Sequence, residues 1–218
     1  MSNRFSGRVV VVTGASSGIG WCLSIALAKQ GARLALLARR KDRLELLADR
    51  ILGSGGFKPI VCTCDVGDWK QVEAARKQIL AELGSIDILV NNAGISRHAA
   101  LDGGEEYEDI WHSALAVMLT AHQRMVRAAL PHLRKSDAAR IVNIASRAAL
   151  GKALRTNYSA SKAALIGLTR TWSLELAADG ITVNCICPGP IATELYEIAN
   201  PADDPRTIAS LAAIPAGR

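Results

Sequence analysis

The sequence predicts a single α/β domain, built on a doubly wound parallel sheet with helices on both faces. Short apolar runs typical of buried strands alternate with helical patterns along the chain without a break. Half of the 218 residues are hydrophobic but only 4% are aromatic, so the core is expected to be aliphatic, as in a sheet flanked by helices. A chain of this length can bury one substantial core, and we expect one domain over residues 1–218.

Composition narrows the classes of function. The net charge of +6 is spread along the chain with acidic residues interleaved, which argues against a nucleic-acid partner. The first residues lack the apolar core of a signal peptide, and no apolar run reaches the roughly eighteen residues that span a bilayer. Four of the five cysteines form C-x-C pairs inside apolar runs, which predicts reduced thiols, and the four histidines show no metal-ligand spacing. We therefore expect a cytoplasmic protein without nucleic-acid, membrane or metal partners.

The first strand and helix predict a phosphate-binding turn. A run at Val9–Thr13 is followed by the residues GASSGIG and by a helical pattern from Trp21 to Gln30. Glycines here allow a tight turn and let a pyrophosphate approach the helix N-terminus, where free N–H groups favour anions. The predicted cofactor contacts in this turn are Gly14, Ser16, Ser17, Gly18, Ile19 and Gly20. The spacing is G-x-x-x-G-x-G rather than the common G-x-G-x-x-G, and the alternative is that these glycines only turn and cap the chain.

The end of the second strand indicates which dinucleotide is bound. Leu34–Ala38 is followed by Arg39 and Arg40, where folds that bind NAD place an acidic residue for the ribose hydroxyls. An arginine can bind a 2′-phosphate through its planar guanidinium, so the sequence favours NADP over NAD as the cofactor. The alternative is that these charges are the solvated start of a helix over Arg43–Leu52, with Asp42 as its cap.

The third and fourth strands end in further candidate cofactor contacts. A strand at Ile60–Cys64 precedes Asp65, which could accept from an adenine amino group or cap the helix predicted at Trp69–Leu83. A strand at Ile86–Val90 leads into Asn91-Asn92-Ala93-Gly94, whose small residues would let an adenosine come close while the asparagines bond to neighbouring strands. Both segments follow parallel strands, at the edge where open sheets bind ligands.

The second half of the chain completes the predicted sheet. The remaining elements are a helix over 105–134, a strand at Ile141–Ala145, a helix from Tyr158 to Ala178 and a strand at Ile181–Cys187. The last strand ends in Pro188-Gly189-Pro190-Ile191-Ala192-Thr193, where two prolines force an open turn and leave backbone groups free to meet a ligand. We expect residues 194–218 to form a mobile flap beside the substrate.

Three polar side chains in this half of the chain predict a catalytic site. Tyr158 and Lys162 are four residues apart, so a helix places them on one face, where an ammonium favours the phenolate and can lower the tyrosine pKa from about 10. Ser146 closes the fifth strand, so its hydroxyl would lie at the ligand-binding edge. Together the three groups could polarise one carbonyl oxygen, with Tyr158 as proton donor. The alternative is that the tyrosine packs and the lysine extends along an apolar surface, as in many helices.

These motifs together resemble the short-chain dehydrogenase/reductase family, of the kind that includes 3-oxoacyl carrier-protein reductases. The resemblance covers residues 8–218 and is carried by Thr13-Gly14-x-x-x-Gly18-Ile19-Gly20, Asn91-Asn92-Ala93-Gly94, Ser146, Tyr158-x-x-x-Lys162, Val183-Asn184, and Pro188-Gly189 with Thr193. It implies a single Rossmann-type sheet and a homo-oligomer. It also implies an NADPH-dependent oxidoreductase that transfers hydride reversibly to a ketone or 3-oxoacyl carbonyl.

The resemblance assigns roles to individual residues. Tyr158 would be the general acid/base, Lys162 would bind the nicotinamide ribose and lower the tyrosine pKa, and Ser146 would orient the substrate carbonyl. The implied cofactor contacts beyond the glycine turn are Arg39, Arg40, Asp65, Val66, Asn92, Ala93, Gly94, Tyr158, Lys162, Pro188, Gly189, Ile191 and Thr193. Among these, Asp65 would meet the adenine.

The sequence departs from the family pattern at Met118 and at its end. Family members usually carry an asparagine at that position, which orders a water connecting the lysine to solvent, whereas a thioether cannot donate and accepts only weakly. They also usually continue past residues 214–218 with a helix and a last strand, whose absence would uncover one sheet edge. The alternative function is therefore a weak or inactive NADP-binding protein. Arg97, Lys152 and Arg155 could attract an acidic carrier or a carboxylate substrate, but solvated charges are the commoner case.

Overall fold

Six parallel strands form one sheet in the computed structural model, which describes residues 3–216. The strands are β1 (Val9–Thr13), β2 (Arg33–Ala38), β3 (Ile60–Thr63), β4 (Ile88–Asn91), β5 (Arg140–Ile144) and β6 (Thr182–Ile186). Their order across the sheet is β3-β2-β1-β4-β5-β6 and every pairing is parallel, which confirms the predicted doubly wound fold. The order reverses between β1 and β4, and open sheets bind ligands beside such a point, at the carboxyl ends of the strands.

Helices cover both faces of the sheet. They are α1 (Gly18–Ala28), α2 (Lys41–Gly53), α3 (Trp69–Leu83), α4 (Glu106–Leu115), α5 (Ala121–Leu133), α6 (Thr156–Glu175), α7 (Glu194–Ala199) and α8 (Pro205–Ala212). The central strand β1 is buried throughout, and its side chains alternate between two aliphatic cores. Val9 and Val11 pack in a core with α3 and α5, whereas Val10 and Val12 pack in a core with α1 and α2. None of the helices described here is long and apolar enough to cross a membrane.

The first two helices begin earlier than the sequence predicts. α1 begins at Gly18 rather than at Trp21, because the glycine turn itself enters the helix. Arg40 is the residue before α2, so Asp42 lies inside the first turn and does not cap this helix. Its carboxylate is still close to the positive end of the helix dipole, which it stabilises without a cap hydrogen bond.

The helix predicted over 105–134 contains an irregularity. A π-helical turn, Ala116–Thr120, separates α4 from α5 without breaking the helical path. Such turns insert one extra residue into a helix and are frequent at functional sites. The helix that carries Tyr158 is shorter than predicted, since α6 ends at Glu175 and a 3₁₀ turn, Ala177–Asp179, follows it.

The segment after β6 folds into two short helices. The Thr193 hydroxyl accepts from the Tyr196 N–H and caps α7. Asp204 accepts from the Arg206 N–H and caps α8, with Pro205 at the first helical position. Residues 194–216 of the predicted flap therefore contain regular structure, while residues 217 and 218 lie outside the described residues. The mobility of the flap stays a prediction.

The sheet has an open edge at β6. Within residues 3–216 this strand has β5 as its only neighbouring strand. Its alternate residues Thr182, Asn184 and Ile186 are exposed, whereas Val183 between them is buried. An open edge of this kind presents unpaired backbone groups to which another chain can bind.

Candidate active site

Two adjoining clefts open at the carboxyl ends of the strands. The nucleotide-side cleft, about 450 Å³ in volume, is lined by the glycine turn after β1 and by residues that follow β2, β3 and β4. The carbonyl-side cleft, about 260 Å³, is lined by residues that follow β5 and β6, by α6 and by α7. Ile19, Asn92 and Thr193 line both clefts, which makes them one continuous crevice.

This crevice brings together nearly all of the predicted site residues. The nucleotide side contains Gly14, Ser16, Ser17, Gly18, Ile19, Arg39, Arg40, Asp65, Val66, Asn92, Ala93, Gly94 and Thr193. The carbonyl side contains Ser146, Tyr158, Lys162, Pro188, Gly189 and Ile191. Gly20 is the exception, because it is buried behind the turn and lines neither cleft.

The turn after β1 leaves no room for side chains at two of its glycines. Gly14 has a left-handed backbone with φ of 66°, and a Cβ on it would lie 2.9 Å from the Ala93 Cα. A Cβ on Gly20 would lie 2.4 Å from the Gly14 carbonyl oxygen. The turn therefore packs directly against β4 and against its own helix. This close packing leaves the N-terminus of α1 open to an anion in the cleft.

Hydrogen bonds hold the glycine turn against the end of β4. The Thr13 hydroxyl accepts from the backbone N–H groups of Asn92 and Ala93 at 2.9 and 3.0 Å. The Asn92 side-chain amide donates to the Thr13 carbonyl at 3.0 Å. On the next strand pair, the Asn91 amide donates to the Asn143 side chain at 3.0 Å. The predicted bonding of the asparagines to neighbouring strands is thus present, and it fixes the spacing of β1, β4 and β5 beneath the crevice.

The two predicted phosphate-binding arginines differ in their surroundings. Arg40 pairs with Glu194 at the start of α7, with N–O distances of 2.7 and 3.2 Å, and Arg43 lies 3.7 Å from the same carboxylate. The Arg40 guanidinium lowers the pKa of Glu194 below its usual range. Arg39 is exposed and makes no side-chain hydrogen bond or ion pair with any residue between 3 and 216. Sequence reasoning missed Glu194, which lies 154 residues from its partner.

Asp65 lines the nucleotide-side cleft but is partly engaged by its own loop. One carboxylate oxygen accepts the Gly67 N–H at 2.9 Å, and the Asp65 N–H donates to the Gln71 side chain at 2.8 Å. The cap of α3 is Asp68, so the alternative in which Asp65 caps that helix is wrong. The second carboxylate oxygen of Asp65 has no hydrogen-bond donor among the described residues, and it is available to a ligand in the cleft.

Tyr158 and Lys162 lie side by side on α6, as their spacing predicts. The Lys162 Nζ is 5.7 Å from the centre of the tyrosine ring and donates to the Ile144 carbonyl at 2.7 Å. The lysine is only 3% exposed, and burial lowers its pKa to about 8. Its side chain is therefore still mainly an ammonium at neutral pH, held by a backbone carbonyl at the end of β5.

The pKa of Tyr158 is shifted in the direction opposite to the one expected. Burial raises it, although the Ser146 hydroxyl and the positive charge of Arg155 act to lower it. Desolvation of the phenolate outweighs these two lowering effects, and the influence of Lys162 on the tyrosine pKa stays a prediction. The phenol keeps its proton at neutral pH, as a proton donor must.

Ser146 is positioned by the end of β5. Its hydroxyl accepts from the Ala148 N–H at 3.1 Å and caps a 3₁₀ turn, Arg147–Leu150. The Arg147 N–H donates to the Pro188 carbonyl at 2.9 Å, which joins this turn to the segment after β6. The serine hydroxyl thus lies in the carbonyl-side cleft, close enough to the Tyr158 phenol to influence its pKa.

Met118 lies in the π-helical turn and is fully buried. Its Sδ and the Lys162 Nζ would each lie 3.8 Å from a Cβ built on Gly94, so the thioether occupies space near the ammonium. It offers no donor and only a weak acceptor there. One helical turn further, His122 is also buried, and burial lowers its pKa to about 3, which keeps the imidazole neutral.

Arg155 lines the carbonyl-side cleft and is not the solvated charge that the sequence suggests. It is 2% exposed, and its guanidinium donates to the Ser96 hydroxyl and, at 2.6 Å, to the Ala199 carbonyl. These partners come from the loop after β4 and from α7, far from Arg155 in the chain. No local pattern of residues indicates such burial.

The cysteines are thiols, and the site contains no cluster of metal ligands. All five cysteines are free. Burial raises the pKa of Cys62 to about 12 and that of Cys64 to about 11, so both remain protonated in the core. Within residues 3–216, no group of three or more histidine, cysteine or carboxylate side chains is placed to hold a metal ion.

Comparison with known proteins identifies relatives that share this fold and these motifs. The short chain dehydrogenase family matches residues 8–204. The 3-oxoacyl-[acyl-carrier-protein] reductase FabG of Vibrio harveyi is 38% identical over 216 residues, which are 99% of this chain and 85% of that protein.

Two solved structures are similar over nearly the whole chain. A dehydrogenase/reductase from Sinorhizobium meliloti 1021 has a TM-score of 0.89 and 34% identity, and the match covers 99% of this chain and 83% of that one. A putative NAD(P) dependent gluconate 5-dehydrogenase from Beutenbergia cavernae, solved with bound NADP, has a TM-score of 0.90 and 34% identity, covering 100% of this chain and 86% of that one. With the fold, the motifs and the family match in agreement, this chain belongs to the short-chain dehydrogenase family.

Proposed function

We propose that the protein is an NADPH-dependent oxidoreductase that reduces a ketone or 3-oxoacyl carbonyl and can also oxidise the corresponding alcohol. The observation that carries this proposal is the convergence of Ser146, Tyr158 and Lys162 on one cleft that is continuous with the glycine turn. The similarity to 3-oxoacyl-[acyl-carrier-protein] reductases supports the choice of a carbonyl substrate.

The residues of the nucleotide-side cleft fit a dinucleotide. At Gly14 and Gly20 the backbone packs so closely that a Cβ would collide with neighbouring backbone, as expected for a turn that must admit a pyrophosphate. Arg39 is free to hold a 2′-phosphate, and Asp65 has an oxygen available for an adenine amino group. The contacts expected on the nicotinamide side are Tyr158, Lys162, Pro188, Gly189, Ile191 and Thr193. The NADP bound to the related Beutenbergia cavernae protein supports this choice of cofactor.

The chain's own groups supply the acid catalysis. Bound NADPH would provide the hydride for the carbonyl carbon. Tyr158, kept protonated by burial, donates its proton to the carbonyl oxygen, and the Ser146 hydroxyl orients that oxygen beforehand. Lys162, an ammonium below pH about 8, stabilises negative charge that develops beside it.

The proposed function also has consequences for the assembly and the cellular location of the protein. We infer a cytoplasmic homo-oligomer with a small-molecule substrate, in which residues 1–218 form one domain and residues 194–218 close over the substrate. The closing segment contributes Tyr196 and Asn200 to the carbonyl-side cleft. Its side-chain contacts to the rest of the site include the Arg40–Glu194 pair. Lys152 also donates to Asn200 and Arg155 to the Ala199 carbonyl, so opening of this segment would break these contacts.

A second candidate is an NADP-binding protein with weak or lost chemistry. The observation in its favour is Met118, because its thioether lies in the region of the Lys162 ammonium and offers only a weak acceptor there. We favour the enzyme, since Ser146, Tyr158 and Lys162 all line one cleft, as proton donation to a single carbonyl requires. Exchanging Met118→Asn tests the point, and a rise in turnover would show that the methionine limits the parent.

The direct test is NADPH oxidation against a panel of ketones and acyl thioesters, with the parent and with Tyr158→Phe. Positioned acid catalysis contributes about 10² to 10⁴ in rate, so the variant should lose that much turnover while its affinity for NADPH changes less than about threefold. Tyr107→Phe is a matched control, because Tyr107 lines neither cleft. Full activity in Tyr158→Phe, or no binding of NADPH to the parent, would refute the proposal.

A further inference from the structure

The carbonyl-side cleft contains a buried cation without an acidic partner. The Arg155 guanidinium donates to the Ser96 hydroxyl and to the Ala199 carbonyl, both of which are neutral. Its Nε is buried and has no hydrogen-bond partner. Between residues 3 and 216, the ionisable groups that interact with its charge are Tyr158, Arg206, Lys152 and His98, and none of these is a carboxylate.

The backbone holds this side chain in the cleft at the expense of local strain. Leu154, directly before it, has φ of 59° and is the only residue other than glycine with a left-handed backbone in the described chain. The Ala99 N–H donates to the Leu154 carbonyl at 3.1 Å, and an isolated bridge pairs Ala99 with Arg155. Strained backbones persist where surrounding structure enforces them, and they cluster at binding sites.

The surroundings of Arg155 carry an excess of positive charge. Lys152 lines the same cleft, and its Nζ donates to the neutral Asn200 amide oxygen at 2.9 Å. Burial and the charges of Arg155 and Arg147 lower the pKa of Lys152. Of Arg155, Lys152 and Arg206, only Arg206 has an acidic partner among the described residues, since it forms a hydrogen-bonded pair with Asp204.

A purely structural role for Arg155 does not account for its positive charge. A neutral amide could join the loop at Ser96 to the end of α7 equally well, because both present partners are neutral. Burying a guanidinium without a counter-charge is unfavourable, and the penalty is removed when an anion binds. A planar guanidinium fork matches a carboxylate through two parallel hydrogen bonds.

We propose that Arg155, assisted by Lys152, binds a carboxylate of the substrate, so that the preferred substrate is a short oxo acid rather than a neutral ketone. This inference rests on the proposed function and specifies its substrate class. Arg155 immediately precedes α6 and lines the same cleft as Tyr158, so one small molecule can carry both the carboxylate and the reacting carbonyl. A phosphomonoester shares the anionic chemistry and can also accept two hydrogen bonds from a guanidinium, so the test includes one.

The test compares acids with esters that differ only in charge. We would measure kcat/KM of the NADPH-loaded protein for 4-oxopentanoate and 5-oxohexanoate, for their methyl esters and for dihydroxyacetone phosphate. Hydrogen bonds to charged groups predict a preference for acid over ester of about tenfold to a hundredfold in the parent. Arg155→Gln should reduce that preference to less than about threefold, mainly through KM, and Arg155→Lys should restore part of it. Arg127→Gln removes an exposed arginine that lines neither cleft, and it should keep the parental preference.

The outcomes separate this inference from the proposed function. Equal reduction of acid and ester by the parent, or a stronger preference for the phosphate, would overturn the carboxylate site while leaving a carbonyl reductase. If no carbonyl is reduced, calorimetry of succinate binding to the NADPH-loaded protein decides: binding that is lost in Arg155→Gln and partly kept in Arg155→Lys supports the site, and no binding to the parent refutes it. The parent measurements stand by themselves if a variant fails to fold.

Discussion

The two sides of the crevice are built on different physical principles. Residues 9–66, on the nucleotide side, bury no Asp, Glu, Lys, Arg or His side chain, and their site depends on close backbone packing around Gly14 and Gly20. Residues 94–216 bury His122, Arg155 and Lys162, of which Arg155 and Lys162 line the carbonyl-side cleft. Binding on the first side is a matter of shape, whereas chemistry on the second depends on ionisable groups whose proton affinity burial has changed. Substitutions on the nucleotide side should therefore reduce stability and cofactor binding, whereas those on the carbonyl side should reduce turnover and change its pH dependence.

The largest expected effect is on the carbonyl side, at Lys162. Lys162→Met removes the buried ammonium, and we expect turnover to fall by about a hundredfold or more. In the parent, burial lowers the pKa of this lysine to about 8, so ketone reduction should decline as the pH rises through that value and the ammonium is lost. The measurement is kcat/KM between pH 6 and 10. A decline of the same size and position in Lys162→Met would show that another group causes it.

The matching test on the nucleotide side is Gly20→Ala. The new Cβ would lie 2.4 Å from the Gly14 carbonyl oxygen, so we expect the free energy of unfolding to fall by about 1–3 kcal/mol and NADPH affinity to fall with it. Gly167→Ala is the control, because a Cβ there has open space within α6. It should raise the free energy of unfolding by about 0.5–1 kcal/mol and leave NADPH binding unchanged. Chemical denaturation measures the free energy of unfolding, and NADPH fluorescence titration measures the affinity. A Gly20→Ala variant with parental stability and parental NADPH affinity would contradict the close packing.

A third prediction concerns acid stability, which the buried His122 should limit. Its pKa is about 3 in the folded protein, below the usual 6.5, so between these values the unfolded chain binds a proton that the folded chain does not. Stability is therefore lost as the pH falls through this window, by about 1.4 kcal/mol per pH unit from this group. Between pH 7 and 5, His122→Leu should lose less unfolding free energy than the parent. His112→Gln, at an exposed histidine, should lose as much as the parent. Identical slopes in all three proteins would reject the assignment.

The smallest expected effect lies on the nucleotide side, at the Arg40–Glu194 pair. This pair is about 40% exposed on each partner, at 41% and 40%, so it contributes little stability. Glu194→Gln should free Arg40 for a 2′-phosphate and raise NADPH affinity about two- to fivefold, with no change for NADH. Glu197→Gln, on the same helix but outside both clefts, serves as the control. An equal gain for NADH would mean that the 2′-phosphate is not bound here.

The contrast between the two sides also explains what could be predicted from the sequence. β1 has the predicted bounds, Val9–Thr13, because a β-branched run between turn signals is a local property. The glycine turn and the Tyr158–Lys162 spacing are local in the same sense. These features place nearly all of the predicted site residues in one crevice.

What the sequence could not reveal depends on contacts between distant segments. Arg155 looks solvated until Ser96 and Ala199 are brought against it by the fold. The raised pKa of Tyr158 likewise follows from burial, which a spacing of four residues does not report. The π-helical turn around Met118 has no signature in the apolar pattern of its helix.

Transfer of deuterium from cofactor to substrate tests the central claim most directly. The parent would be incubated with NADPH carrying two deuterium atoms at C4 and with the oxo acids and methyl esters named above. The masses of the alcohol products would be measured by mass spectrometry. We predict that each alcohol gains one mass unit from the label, and that Tyr158→Phe, although it binds NADPH, forms about a hundredfold less product. Tight binding of NADPH by the parent with no labelled alcohol from any carbonyl compound would contradict the account.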